Sequence, residues 1–411
     1  MADIRPFRAY RPAQGLESKV AALPYDVYSK AEAREYVRLH PNSFLAVDRA
    51  EATLPEETDT YDAAVYEQAG RLLTQKMTDG TFVQDEKPCY YLYEQTWQGR
   101  TQTGIVACAS IDDYEQGRIK KHENTVEAKE QDRIRHVDAC NAQTGPIFLT
   151  YREEACLSAL KEEVRRSAPV CDFISDGEVR NRVFVIEDSK KIQAIQSAFR
   201  NISAIYIADG HHRAASAVKV GKKRRAAHPD YTGEEEFNYF LSVLFPEQEL
   251  KILDYNRVVL DLNGLSRAEI LEKLRPNFNV MPYRGNTARP AAKGEIGMYL
   301  DHSWFMLSAK NHIKSGSPVA GLDVSILQKY VLAPIFGIRD PRTDQRIAFV
   351  GGVRGEEELM ERADRSGGVS FLMYPTSIRE LLAVADAGKL MPPKSTWFEP
   401  KLLSGLFLHQ L

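Results

Sequence analysis

Apolar and polar positions along the chain follow two periods, and the changes between them mark out the elements. Around residues 88–111, β-forming runs (Cys89-Tyr90-Tyr91-Leu92-Tyr93 and Ile105-Val106-Ala107) flank the polar Gln98-Gly99-Arg100, which predicts a hairpin. Helical spacing appears over 29–40, closed by Pro41, and over 61–77, ended by Asp79-Gly80. A helical run over 126–142 has Thr125 placed to cap it. Strands are predicted over 146–151, 170–174 and 182–187, with helices over 153–167 and 189–200. The apolar run Ile205-Tyr206-Ile207 then stops at Asp209-Gly210, directly before an alanine-rich helical run.

Downstream, 237–245 reads as a buried strand and 250–260 as its neighbour. A helix over 266–274, a hairpin turning at Asp301-His302-Ser303, a helix over 323–333, a strand over 346–351 and a helix from 378 to 387 follow. Alternating strands and helices predict an α/β or α+β fold with a mixed sheet. The change in character near 265 predicts an N-terminal α+β region packed on the core (1–104), a central core (105–264) and a C-terminal α+β module whose tail covers the site (265–411).

Composition narrows the class. At 411 residues the chain exceeds what a single core usually holds. A net charge of -3 counts against a general nucleic-acid binder, which needs a surplus of Lys and Arg. The five cysteines are scattered, with no C-x-x-C pair, so neither a disulfide framework nor a zinc ribbon is indicated. The N-terminus is polar and no run approaches a membrane span, so a cytoplasmic protein is expected, its oligomeric state left open.

Four stretches carry chemistry. Asp209-Gly210-His211-His212-Arg213 lies between a strand and a helix N-terminus, whose free N–H groups, with an arginine and two imidazoles, make an anion site best suited to phosphate. Asp209 is placed to hold a cation or to cap the helix. His122-Glu123 precedes the 126–142 helix, but position 126 is Val, so the H-E-x-x-H zinc pattern is absent. That helix reads as a solvated face laced by Glu130–Arg133 and Asp132–Arg135 pairs, with Arg133 near enough to its start to lean toward a cleft. Asn256 and Arg257 sit in an apolar strand and need partners: a ligand, or more commonly a protein carboxylate. In the proline-rich tail, Lys394, Ser395 and Thr396 are candidates for phosphate or carboxylate contact, while Trp397 and Phe398 read first as core plugs.

Taken with Pro24-Tyr25-Asp26-Val27 and Phe398-Glu399-Pro400-Lys401, these motifs resemble the DUF1015 family across nearly the whole chain. The His-Glu and Asp-Gly-His-His-Arg elements, over roughly 105–260, are also similar to those of free serine kinases with a ParB/sulfiredoxin-like fold, which phosphorylate L-serine with ADP or ATP. That resemblance implies Glu123 as base beside His122, Asp209 near Mg²⁺ or the reacting hydroxyl, and the turn residues Gly210, His211, His212 and Arg213 on the nucleotide phosphates, with Lys394 of the tail a further phosphate candidate from its own sequence. Tyr25, Asp26, Thr125, Arg133, Asn256, Arg257, Ser395 and Thr396 are candidates for substrate contact or support. The expected partners are a nucleotide and a small hydroxyl substrate. Alternatives are a phosphomonoester or nucleotide hydrolase at the same site, a non-catalytic ParB-like regulator, and a metal hydrolase using His122, His211 and His212.

Overall fold

The hairpin predicted over 88–111 forms the middle of a nine-stranded sheet in the structure, a computed structural model that describes residues 2–411. Tyr90–Trp97 and Arg100–Ser110 pair antiparallel as far as Trp97 opposite Arg100. Gln98 and Gly99 turn the chain with φ of 49° and 74°, the paired left-handed conformation that matches strand twist in a two-residue loop. Across the sheet the strands run Ile119–Lys120, Ile205–Asp209, Ile147–Tyr151, Tyr239–Pro246, Arg100–Ser110, Tyr90–Trp97, Val179–Ile186 and Cys171–Ser175, with Ile4–Arg5 also paired to Arg100–Ser110. Ile147–Tyr151 is parallel to Tyr239–Pro246 and antiparallel to Ile205–Asp209, so the sheet is mixed and the fold is α/β. Ile105, Leu149, Ile205, Ile207 and Leu244 are wholly buried in its core.

The chain divides into two compact units: Met1–Lys121 with Thr125–Leu250 and Pro400–Leu411, and His122–Asn124 with Lys251–Glu399. Residues 1–104 do not stand apart, because Ile4–Arg5 is stitched to the central sheet and the helix Ala63–Thr78 packs on Glu127–Cys140. The last twelve residues also belong to the first unit: Leu402, Leu403, Leu406, Phe407 and Leu408 are buried, and His409–Gln410 pairs with Ala142–Gln143. The second unit holds a wholly antiparallel six-stranded sheet in the order Phe278–Tyr283, Ser303–Ala309, Glu295–Leu300, Val369–Met373, Tyr255–Val259, Ile347–Gly351.

Several expectations need correction. The 250–260 stretch is not a neighbour of Tyr239–Pro246. It breaks at Asp254 into Lys251–Leu253, paired with Trp397–Glu399, and Tyr255–Val259, a central strand of the second sheet. An apolar run buried on both faces carries no mark of which strand it pairs with. The unit boundary accordingly falls at Leu250, not near 265. Thr125 does not cap its helix: Glu127–Cys140 has Val126 at the capping position, and the Thr125 hydroxyl donates instead to Glu130. The expected solvated face is buried, with Glu130, Arg133 and His136 each under a tenth exposed at successive three-residue steps. Glu130 pairs with Lys219 and Arg133 with Asp132, the long-range partner and the adjacent one replacing the expected i,i+3 pairs. The 323–333 helix starts as Asp323–Leu327 and widens to a π-type turn over Gln328–Leu332.

Candidate functional site

In the first unit the site begins where Ile205–Asp209 leaves the sheet. Gly210 has a φ of +92°, a conformation that favours glycine, and a Cβ there would crowd the Arg213 guanidinium at 3.1 Å. The helix His211–Ala227 starts at once, its first N–H groups unsatisfied by the helix itself. Asp209 Oδ1 accepts from the Gly210 N–H at 2.8 Å, and Oδ2 accepts from Lys401 Nζ at 3.2 Å with Arg213 Nη2 at 4.0 Å. Burial alone favours the neutral acid, but Lys401 and Arg213 outweigh it and hold the Asp209 carboxyl well below the usual range.

The two histidines differ. His211 is buried in the first helical turn. His212 Nε2 accepts from the Val126 N–H at 3.0 Å, so that nitrogen carries no proton and is spent on the start of the Glu127–Cys140 helix. It does not donate to a phosphate while this contact stands. Arg213 Nη1 donates to the Pro146 carbonyl at 2.5 Å, which aims the guanidinium back under the sheet.

There Arg213 meets a small cavity of about 30 Å³, whose walls include Tyr25, Asp48, Arg133, His136 and Thr144 beside the apolar Val137, Ile147 and Leu241. Arg133 donates through Nε to Asp132 at 2.9 Å and lies over the Tyr25 ring, 4.0 Å from its centroid. Burial pushes the Tyr25 phenol pKa up, against the pull of Arg133. Asp48 accepts from Thr144 Oγ1 at 2.8 Å and has His136 Nε2 at 3.4 Å. Burial disfavours its charge, but His136 more than compensates and holds the carboxyl below its ordinary value. His136 is pushed up to about 9: burial opposes the charge and Arg133 repels it, but Cys140 and Asp48 outweigh both.

Of the remaining sequence-derived candidates, Asp26 is exposed and does not line the cavity. His122 and Glu123 belong to the second unit, where the His122 carbonyl accepts from the Met391 N–H at 2.7 Å. Asn256 and Arg257 also lie there; Asn256 has the protein carboxylate expected as the commoner partner, and Arg257 does not. Asn256 donates to Asp254 at 2.5 Å and accepts from the Met373 N–H, whereas Arg257 donates to the carbonyls of Tyr255, Pro393 and Lys394. Buried without an acidic partner, the Arg257 guanidinium is lowered to about 10. Ser395 is buried and donates to the Pro392 carbonyl, so it braces the tail; Thr396, beside it, is half-buried. Lys394 has a φ of 58° and holds its Nζ over the Tyr255 ring. Phe398 is 1% exposed, the core plug its sequence implied.

Lys401 is the residue that motif reading quoted but gave no role. Its only signal was its place beside Pro400 in the tail, and nothing local points from there to Asp209, 192 residues earlier. Asp209 itself is ill suited to Mg²⁺. One oxygen is engaged by a backbone N–H and the other by an ammonium, with a guanidinium beside it, so the donors surrounding this carboxylate favour an anion nearby.

Among solved structures, a free serine kinase in complex with AMP is 14% identical, with 72% of this chain and 86% of that one covered at a TM-score of 0.36. A C-terminally truncated SbnI from Staphylococcus aureus gives 14%, 73%, 85% and 0.39, and a conserved hypothetical protein from Pyrococcus furiosus 14%, 73%, 92% and 0.35. No curated protein matches. A family model described as "Protein of unknown function (DUF1015)" matches residues 4–325, ending short of the tail. That span takes in the Tyr25 turn, the His122-Glu123 loop, the Asp209–Arg213 turn and the Asn256-Arg257 strand, and on its extent the chain belongs to the DUF1015 family.

Proposed function

We propose that this protein is a nucleotide-dependent phosphotransferase acting on a small hydroxyl substrate, with free L-serine converted to O-phosphoserine as the leading case. The observation that carries the reading is the Asp209–Arg213 turn: an ionised carboxylate between Lys401 and Arg213, at the first N–H groups of a helix. Phosphoryl transfer asks for little covalent help from a protein. It asks for positive charge around the phosphate and for a carboxylate to orient or deprotonate the hydroxyl. Lys401, Arg213 and the helix start supply the first, arranged so that an incoming phosphate competes with Asp209 for the same cations.

In this reading the hydroxyl oxygen attacks the terminal phosphoryl of ATP or ADP, the bond to the leaving phosphate breaks, and the hydroxyl proton passes to a carboxylate. Glu123 takes that role on the strength of its His-Glu motif alone, as does the ParB/sulfiredoxin-like assignment of the central region. Magnesium enters with the nucleotide, where it would neutralise phosphate charge, and is not assigned to Asp209. Phosphorus NMR of the protein with ATP or ADP and L-serine tests the reading, and phosphoserine is the expected product. No transfer from either nucleotide to any small hydroxy acid would overturn it. Phosphate release from phosphoserine without nucleotide would replace it with a hydrolase.

A further inference from the structure

Arg133 is a buried cation that is paired through Nε alone. Its side chain is 9% exposed and Nε is taken by Asp132, but neither Nη1 nor Nη2 has a hydrogen-bond acceptor among the described residues. The four N–H groups they carry belong to a residue that lines the cavity behind the Asp209–Arg213 turn. Arg213, on the same wall, donates only through Nη1 to Pro146, leaving Nε and Nη2 without an acceptor within bonding distance. Both guanidiniums therefore keep N–H groups beyond those that meet Asp132, Pro146 and Asp209, and these can take up an anion that enters the cavity.

We propose that this cavity receives the carboxylate of the phosphoryl acceptor, with Arg133 and Arg213 as its clamp, so that the substrate class is a free hydroxy acid. The inference rests on the phosphotransferase reading for the word acceptor, but the binding it describes can be measured without catalysis. Size suits a small anion, the cavity being about 30 Å³. Shape agrees, because a planar guanidinium fork matches the two coplanar oxygens of a carboxylate. Charge agrees as well: two guanidiniums and the His136 imidazolium face one carboxylate on the walls, Asp48, which is already engaged by Thr144 and His136. Arg133 also lies against the Tyr25 ring, which fixes the plane of its fork.

The test compares L-serine with L-serinamide, which keeps the hydroxyl and the amine and lacks the carboxylate. Calorimetric titration of each into the full-length protein, with and without ADP, is expected to show binding of serine and a loss of about tenfold or more for the amide. Arg133→Met is expected to weaken serine about 10- to 100-fold, leave nucleotide affinity unchanged and erase the distinction between the two ligands, with Arg133→Lys in between. In turnover, the same variants raise KM for serine and not for nucleotide. If Arg133→Met does not fold by circular dichroism, Arg133→Lys and Tyr25→Leu, which removes the ring under the guanidinium, carry the same comparison. Serine binding that depends on Arg133 in a protein with no transfer activity upholds the cavity and removes the kinase reading. Equal affinity for serine and serinamide, no binding of serine at all, or an Arg133→Met protein that binds serine as the parent does would overturn the inference. So would inorganic phosphate competing for Arg133, which would make this a phosphate subsite.

Discussion

Gly210 is the residue on which the turn depends most directly. Alanine there places a Cβ in a left-handed conformation and within 3.1 Å of the Arg213 guanidinium, so Gly210→Ala is expected to cost about 1–2 kcal/mol and to displace Arg213. Chemical denaturation measures the first effect, and ligand titration, falling by more than the stability loss explains, the second. His136 sets a pH signature. Its folded pKa of about 9 lies above the ordinary 6.5, so its contribution is complete below about 6.5 and is lost as pH rises through about 9. Denaturation at pH 6 and pH 9.5 should therefore show a drop in the parent that His136→Gln reduces. Asp209 works in the opposite direction. Its carboxyl is depressed, so its contribution is present above the ordinary 3.8 and fades as pH falls through the lower folded value. Lys401→Met weakens that acid dependence and is expected to cost about 1–2 kcal/mol, a modest figure because Asp209 keeps about a third of its side chain in water.

At the scale of elements, the helix Glu127–Cys140 shows how tertiary contacts override local rules. Its start is held by His212 and not by Thr125, so Thr125→Ala removes only a side-chain bond to Glu130. His212→Ala removes the acceptor of the Val126 N–H and leaves the helix start to water. His212→Ala is thus expected to lower thermal stability more than Thr125→Ala, by about 0.5–2 kcal/mol in excess, as melting curves of the two variants would show. Elsewhere local chemistry decided the ends. Ser29, Ser266 and Ser377 each form a reciprocal capping box with a glutamate three residues on, and all three helices start within a residue of the expected position. The hairpin turns at Gln98-Gly99 and Asp301-His302 also fall where polar residues interrupt apolar runs.

For the whole molecule, the C-terminal twelve residues complete a unit that begins at the N-terminus. Leu402, Leu403, Leu406, Phe407 and Leu408 are each no more than 3% exposed, and every such side chain contributes about 1.5–3 kcal/mol on burial. Their sum matches the net stability of a typical domain. Truncation after Glu399 is therefore expected to unfold the first unit, with loss of dispersed amide resonances from the nine-stranded sheet. Among the described residues no helix is long and apolar enough to cross a membrane.

Sequence by itself determined most of the helices, the hairpins with their turns, the mixed α/β class and the Asp209–Arg213 turn, because each is written in neighbouring residues whose conformational preferences are local. It also pointed to Tyr25 and Arg133, though as candidates with no stated connection. Tertiary structure alone decided that Arg133 stacks on Tyr25 and faces a cavity with Arg213, that Lys401 holds Asp209, and that Tyr255–Val259 joins the second sheet. The reason is physical: a charge four residues from its partner leaves a spacing to read, whereas Lys401 and Asp209 meet across 192 residues only after the tail has packed on the first unit. Burial, not spacing, turned the charged face of Glu127–Cys140 inward and paired Arg133 with its neighbour Asp132.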